Sequence, residues 1–304
     1  MKISIVITKR NYREYYQAAI DSFLAQTEKP FEILLSENHS TDGSFDEVIE
    51  KFSSSSKVRL IVPPTPLDTH AKSVAFAVSN ASAEADYICI AAADDYWKPN
   101  FIKEMNKALE YYKLLKPKLL YCDRFLFDAK MGVFGCSASF KKPMVSSGLE
   151  AFERYSASIA YNISGAVWES KFIKSTVKNV EWSGDAADWI YSMEAARKGV
   201  IIYYPKILLY YRIHRSSTSR TDIKVDTYEK SMLLYQKHLE KDNSEYTLKH
   251  RNLAPHHNDS FSPDIDTISA AYQNRFRKMQ LLVGRLGLSF FLIKFFNILT
   301  RKSS

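Results

Sequence analysis

Lys2-Ile3-Ser4-Ile5-Val6-Ile7-Thr8 is an apolar run, rich in β-branched residues and too short for a buried helix. It reads as a strand buried on both faces, and such strands belong to parallel sheets covered by helices. Outward from it the pattern repeats. Tyr16, Ala19, Ile20 and Phe23 follow at helical spacing, and Phe31–Ser36 is a second apolar strand. Ser40-Thr41-Asp42-Gly43 is a turn, after which Phe45, Val48, Ile49 and Phe52 mark another helix. Val58–Val62 predicts a third strand and Ala71–Ala81 a helix with Val74, Ala77, Val78 and Ala81 inward. Tyr87–Ala92 predicts a fourth strand, closed by Asp94-Asp95. Alternation of this kind predicts an α/β fold, a mostly parallel sheet flanked by helices.

Further along, Pro99 suits the first turn of a helix reaching about Leu115, and Leu119–Arg124 is another strand. Residues 125–184 carry a mixed pattern in which only Gly165-Ala166-Val167-Trp168 stands out, as a strand end. Asp185–Lys198 predicts a helix stopped by Gly199, with Asp185 at its N-cap, and Val200–Tyr204 and Leu208–Ile213 predict two strands. A polar helix over Lys224–Glu240 opens a helical extension. The expected division is a main domain over 1–220, with a nucleotide-binding half near 1–124 and an acceptor half near 125–220, then an extension over 221–304.

Composition narrows the classes. With 13% aromatic residues, nine Gly and ten Pro, the chain is neither disordered nor collagenous. Cys89, Cys122 and Cys136 share no close spacing, which excludes a disulfide scaffold or a Cys-based zinc module and suits a reducing compartment. The formal charge of +8 is unevenly placed. Seven bases and no acid follow Asp266, so of 42 bases 35 remain against 34 acids over 1–266. A nearly neutral main body argues against a nucleic-acid partner. The opening strand is too short for a secretory leader, and the tail's longest uncharged apolar run, Leu286–Ile293, is far short of the roughly 20 residues a span needs.

Ligands of open α/β sheets sit at the carboxyl ends of strands. Three such ends carry polar groups: Thr8-Lys9-Arg10-Asn11-Tyr12, Glu37-Asn38-His39-Ser40-Thr41-Asp42-Gly43, and Asp94-Asp95. No G-x-G-x-x-G or G-x-x-x-x-G-K-[ST] is present, which argues against a dinucleotide fold or a P-loop. Two adjacent carboxylates ending a buried strand are costly unless they meet a cation, and a divalent ion bridging a substrate diphosphate would settle that charge. Capping of the helix near Pro99 explains the pair equally well.

In order along the chain, these motifs resemble the GT-A glycosyltransferases, specifically the inverting family 2, over roughly residues 2–220. Ile3–Asn11 is similar to the opening strand and nucleotide loop, and Ser36–Gly43 resembles the second-strand motif. Asp94-Asp95-Tyr96 resembles the metal and ribose motif, and Ala187-Asp188-Trp189 the acceptor-side motif. Tyr211-Arg212-Ile213-His214, with Ser217-Thr218-Ser219, resembles the closing segment. The resemblance implies donor contacts from Thr8, Arg10, Asn11, Glu37, Ser40, Asp42, Asp94 and His214. Within that set, Glu37 would accept from the pyrimidine ring. It also implies Asp95 as ligand of Mg2+ or Mn2+, and Asp188 as general base. Arg10 departs from a common aromatic, and Ala92 and Ala187 from common acids.

The implied function is transfer of a sugar from a UDP- or dTDP-type donor to a hydroxyl of a glycan or lipid-linked glycan, in surface polysaccharide or glycoconjugate synthesis. A catalytically impaired binding module of the same fold is the alternative. A nucleotidyltransferase lacks support, because Thr8–Tyr12 is not the Gly-rich basic loop such enzymes carry. His256, His257 and Asp259 read as a solvated surface rather than a metal site. Trp182, Trp189 and Tyr191 offer a sugar platform, with Trp189 better placed in the core. The tail over 275–302, basic and aromatic with no acid, resembles a surface-lying anchor for anionic lipid. It points to a cytoplasmic protein, peripheral on the inner membrane face; a terminal helix packed on the domain or a partner subunit is the plainer reading.

Overall fold

A computed structural model describes residues 1–128, 132–137, 141–157, 161–214, 225–242 and 246. The chain parts into two compact units, Met1–Pro255 and His256–Ser304, and every described residue lies in the first.

The first half follows the alternation its apolar periods dictate: β1 (Ile3–Lys9), α1 (Tyr16–Leu24), β2 (Glu32–Glu37), α2 (Ser44–Phe52), β3 (Arg59–Ile61), α3 (His70–Ser79) and β4 (Tyr87–Ala92). There follow β5 (Tyr96–Trp97), α4 (Phe101–Tyr111), β6 (Leu119–Asp128), β7 (Gly132–Ser137), β8 (Met144–Ser147) and α5 (Gly148–Ala157). The described part ends with β9 (Ala166–Glu169), α6 (Ser170–Asn179), α7 (Ala187–Lys198), β10 (Val200–Arg212) and α8 (Val225–Lys241).

The ten strands among the described residues form one sheet in the order β3-β2-β1-β4-β9-β6-β10-β5, with β7 on β6 and β8 on β10. β3, β2, β1, β4, β6 and β10 point one way, and the other four run against them. The sheet is thus mixed, but its common direction brings six strand ends to one edge. Ile3, Ile5 and Ile7 of β1 pack toward α1, α2 and α4, while Val6 packs toward the opposite layer of α3, α5, α6, α7 and α8. Both faces are covered, as the continuous apolar strands require. Each fully buried isoleucine or phenylalanine contributes roughly 1.5–3 kcal/mol.

Several boundaries differ from the sequence reading. The helix expected from Pro99 to Leu115 is α4 plus a separate 3-10 turn, Lys113–Leu115. The helix expected from Asp185 starts at Ala187, because Glu181–Ala186 is a 3-10 turn kinked at Gly184, whose φ is 57°. Ala186 therefore holds the N-cap position expected for Asp185. The two expected strands after Gly199 are one strand, β10, whose pairing with β6 slips between Tyr204 and Ile207 and again between Ile207 and Leu209. Pro205 sits in that irregular stretch, where a missing N–H breaks no ladder. α8 belongs to the main body: Tyr235 donates to Glu194 at 2.7 Å and Ser231 to the Ser183 carbonyl at 3.0 Å.

Candidate active site

The loops after β1 and β2 are stitched by one buried cation. Lys9, the last residue of β1, aligns with Glu37 at the end of β2. Its ammonium donates to Glu37 at 2.6 Å, to Ser40 Oγ at 2.9 Å and to Ser44 Oγ at 2.6 Å. Both side chains of the pair are wholly shielded from solvent. The other Glu37 oxygen accepts from the Ser40 N–H and hydroxyl at 2.8 and 2.6 Å. Ser40 Oγ in turn accepts the Asn11 N–H at 2.7 Å, and Asn11 Oδ1 accepts the Thr41 N–H at 2.8 Å. Asn11 and Tyr12 hold consecutive left-handed conformations, φ 66° and 63°, at a cost of roughly 1–2 kcal/mol each for residues with a Cβ. These bonds hold that strain in place.

Asp42 caps the turn into α2, accepting from Ser44 and from the Arg13 N–H at 2.9 Å. Partial burial opposes its charge, yet the Ser44 and Arg13 hydrogen bonds prevail and hold its carboxyl below the usual range. Thr8 is half-buried beside Ala92, and Arg10 is exposed, donating to the Leu67 carbonyl at 3.1 Å.

At the neighbouring strand ends the two carboxylates take different stations. Asp94 Oδ2 lies 3.0 Å from His214 Nε2, and the Asp94 carbonyl accepts Arg212 Nε at 2.8 Å. Asp95 sits behind it: Oδ1 accepts the Arg212 N–H at 3.0 Å, while buried Oδ2 has no hydrogen-bond partner. Burial first, then the Asp94 charge, push the Asp95 carboxyl well above its usual range. The Arg212 N–H and the Arg124 charge act against that rise, and the Arg212 guanidinium lies 4.7 Å from the Tyr15 ring centre. The His214 ring meets Tyr15 at 4.8 Å and Tyr12 at 5.6 Å between centroids. β10, parallel to β6, is what carries Arg212 and His214 to this edge.

Asp188 lies half-buried in the first turn of α7, where its Oδ1 accepts the adjacent Trp189 N–H at 2.8 Å. Ser192 Oγ donates to the Asp188 carbonyl at 2.8 Å and lies 2.7 Å from the Tyr161 hydroxyl. Three residues on from Tyr161, Ser164 Oγ accepts the Ala92 N–H at 3.1 Å, and the Ser164 carbonyl accepts Trp97 Nε1–H at 2.7 Å. The short turn Tyr161–Gly165 thus touches both the α7 start and the end of β4.

The structure brings Thr8, Asn11, Glu37, Ser40, Asp42, Asp94, Asp95 and His214 to one edge of the sheet. Two placements bear on the expected roles. Glu37 has both of its oxygens bonded inside the protein, and neither reaches solvent. Asp95 is the deeper carboxylate, 1% exposed, and Asp94 with His214 is nearer the surface. Of the aromatic platform, Trp189 and Tyr191 are in the core and only Trp182 is exposed. Sequence reasoning gave no individual role to Lys9, Arg212, Tyr161 or Ser164. Lys9 had a signal, a cation at the end of an apolar strand; the serine and tyrosine had none. Ser217–Ser219, the Asp185 side chain, His256, His257, Asp259 and the tail over 275–302 lie outside the described residues.

Residues 4–122 match the family described as Glycosyl transferase family 2. An uncharacterized glycosyltransferase of Nostoc sp., alr2836, is 33% identical over 110 residues, 36% of this chain and 33% of its own. The match thus spans about a third of that relative's length. Among solved structures, S. aureus TarS 1–349 in complex with UDP-GlcNAc superposes with a TM-score of 0.61 at 18% identity, over 81% of this chain and 68% of that one. The same segment in complex with UDP gives 0.58 at 18% identity, over 81% and 67%. Residues 4–122, which hold the first three of the five motifs, are thus similar to family 2 glycosyltransferases in sequence, and four-fifths of the chain shares the GT-A fold of TarS.

Proposed function

We propose that the chain is an inverting glycosyltransferase. It moves a sugar from a nucleoside diphosphate of the UDP or dTDP type to a hydroxyl of a glycan or lipid-linked glycan, in surface polysaccharide or glycoconjugate synthesis. The observation that carries this reading is the Asp94–His214 contact at 3.0 Å, formed where β4 and β10 end beside the strained Asn11–Tyr12 loop. Strand ends of one direction form the crevice in which open α/β sheets take their ligands, and the two carboxylates there suit a diphosphate through a bridging cation. UDP-GlcNAc and UDP in the TarS structures support the donor class.

Magnesium or manganese fits the residues present. The carboxylate oxygens of Asp94 and Asp95, one of the latter buried without a hydrogen-bond partner, are of the hard type such ions take. Among the described residues no group of three His, Cys, Asp or Glu side chains could hold an ion by itself, so substrate oxygens would complete the shell. When bound, the ion would neutralise charge on the departing diphosphate.

In this reading Asp188 is the general base, accepting the proton of the acceptor hydroxyl as that oxygen attacks the anomeric carbon. Asp188→Asn should lower transfer by about 10²–10⁴-fold with UDP affinity unchanged; loss of affinity with transfer per bound donor intact would remove this role. Melting shifts across nucleotide sugars, with and without Mn2+, followed by a turnover assay, test the whole reading. The impaired-module alternative, favoured by Ala92 and Ala187, gives shifts without turnover. No described helix is long and apolar enough to cross a membrane; the basic tail supports placement on the inner membrane face.

A further inference from the structure

We infer that Lys9 is a positioning residue for donor binding, acting through the Asn11–Tyr12 loop rather than by touching the donor. The inference rests on the glycosyltransferase reading above. A lysine whose side chain is wholly shielded needs all three of its N–H donors satisfied, and the partners at 2.6, 2.9 and 2.6 Å do so. Two of those partners are hydroxyls with a second task. Ser40 Oγ holds the Asn11 N–H, and Ser44 Oγ donates to Asp42, which holds the Arg13 N–H at 2.9 Å. The residues flanking Tyr12 on either side are therefore fixed through groups that Lys9 orients.

Tyr12 is left-handed at φ 63°, a conformation that a tyrosine does not keep unaided. Its ring edges the His214 imidazole at 5.6 Å, and that imidazole meets Asp94. A chain of contacts therefore runs from the Lys9 ammonium through Ser40 and the loop to the pair that the proposed function assigns to the diphosphate. Glu37 completes the device as a counterion, which is the task left to a carboxylate whose two oxygens are both bonded inside the protein. A bare buried pair would serve stability no better than apolar side chains of similar size. The loop attached to this pair is what gives it a function.

The two roles separate in the double variant K9M/E37Q. Lys9→Met alone leaves Glu37 charged and unpaired in a dry site, and loss of fold is its expected result. In the double variant no charge is stranded and the side-chain amide at position 37 retains an oxygen for Ser40, so the fold survives. The probes are UDP with Mg2+ for binding by calorimetry, and the nucleotide sugar that wild type turns over for kinetics. The expected result is a melting temperature close to wild type, a Kd for UDP and a KM for donor raised at least tenfold, and kcat within threefold. A donor KM and UDP Kd equal to wild type overturn the inference, whatever the melting temperature does. If wild type itself binds no nucleotide of the panel, the glycosyltransferase reading fails and the inference falls with it. Wild-type binding matched by an equally tight double variant sinks the positioning role alone.

Discussion

Asp94 and Asp95 were legible as a pair, because two acids after an apolar strand stand out against everything around them. Their division of labour was not. It depends on Arg212, 117 residues away in sequence, whose N–H takes one Asp95 oxygen and leaves the other bare. An amide at position 95 keeps the acceptor for Arg212 and removes a charge that burial disfavours. Asp95→Asn should therefore melt at or about 2–4 °C above wild type in the absence of metal, the shift that about 1 kcal/mol gives in a domain of this size. The extra stabilisation that UDP with Mn2+ confers on wild type should vanish. Retention of that extra shift would assign any ion to Asp94 and His214 alone. Glu37 teaches the converse. Its place in a motif suggested a ligand contact, while the physical state of its oxygens depends on Lys9, to which its own motif gave no role.

Elements whose signal is local were read well: β4 matches residue for residue, and α1 buries Tyr16, Ala19, Ile20 and Phe23 as their spacing requires. The stretch 125–184 resisted because its strands are short and antiparallel, with half-exposed patterns such as that of β8, so neither a long apolar run nor clean alternation marks them. Within it the 3-10 turn Ile163–Gly165 is set by packing rather than propensity. A Cβ on Gly165 would stand 3.4 Å from the Cys122 carbonyl oxygen, Cys122 Sγ and Leu209 Cδ2. Gly165→Ala should therefore be nearly neutral, since those contacts are ordinary ones. Gly165→Val adds two methyl groups against a backbone carbonyl and should cost about 1–3 kcal/mol, read as a lower denaturant midpoint. Equal midpoints for the two variants would show that the turn shifts freely. The same measurement on donor affinity reports whether Ser164, one residue earlier, keeps its hold on the Ala92 N–H.

On the scale of the whole molecule, α8 was expected in an extension and is instead a layer of the main body. The polar pattern that suggested independence hides its docking pair. Glu194 is buried in α7 and accepts from Tyr235 of α8, with Arg197 at 3.0 Å and Lys198 at 2.6 Å. Burial opposes its charge, but those hydrogen bonds and cations win and lower its carboxyl below the usual range. A lowered folded value means that the stabilisation is present above the unfolded value of about 4.3 and is lost as pH falls through the folded one. Glu194→Gln should cost about 1–3 kcal/mol at pH 7, with earlier proteolytic release of α8, and the gap from wild type should close in acid. A gap that persists at the lowest pH would mean that shape, not charge, docks this helix.

The irregular stretch of β10 around Pro205 has a consequence for how such a molecule changes over time. Below it the strand is locked in phase with its neighbours, whereas beyond it a second phase begins, and a slip of one residue turns each following side chain to the other face. Loss or gain of a single residue there would leave the lower sheet intact and swing His214 away from Asp94. The slack in this strand is therefore a vernier: the smallest genetic edit available at that point re-aims the imidazole without rebuilding the architecture that carries it.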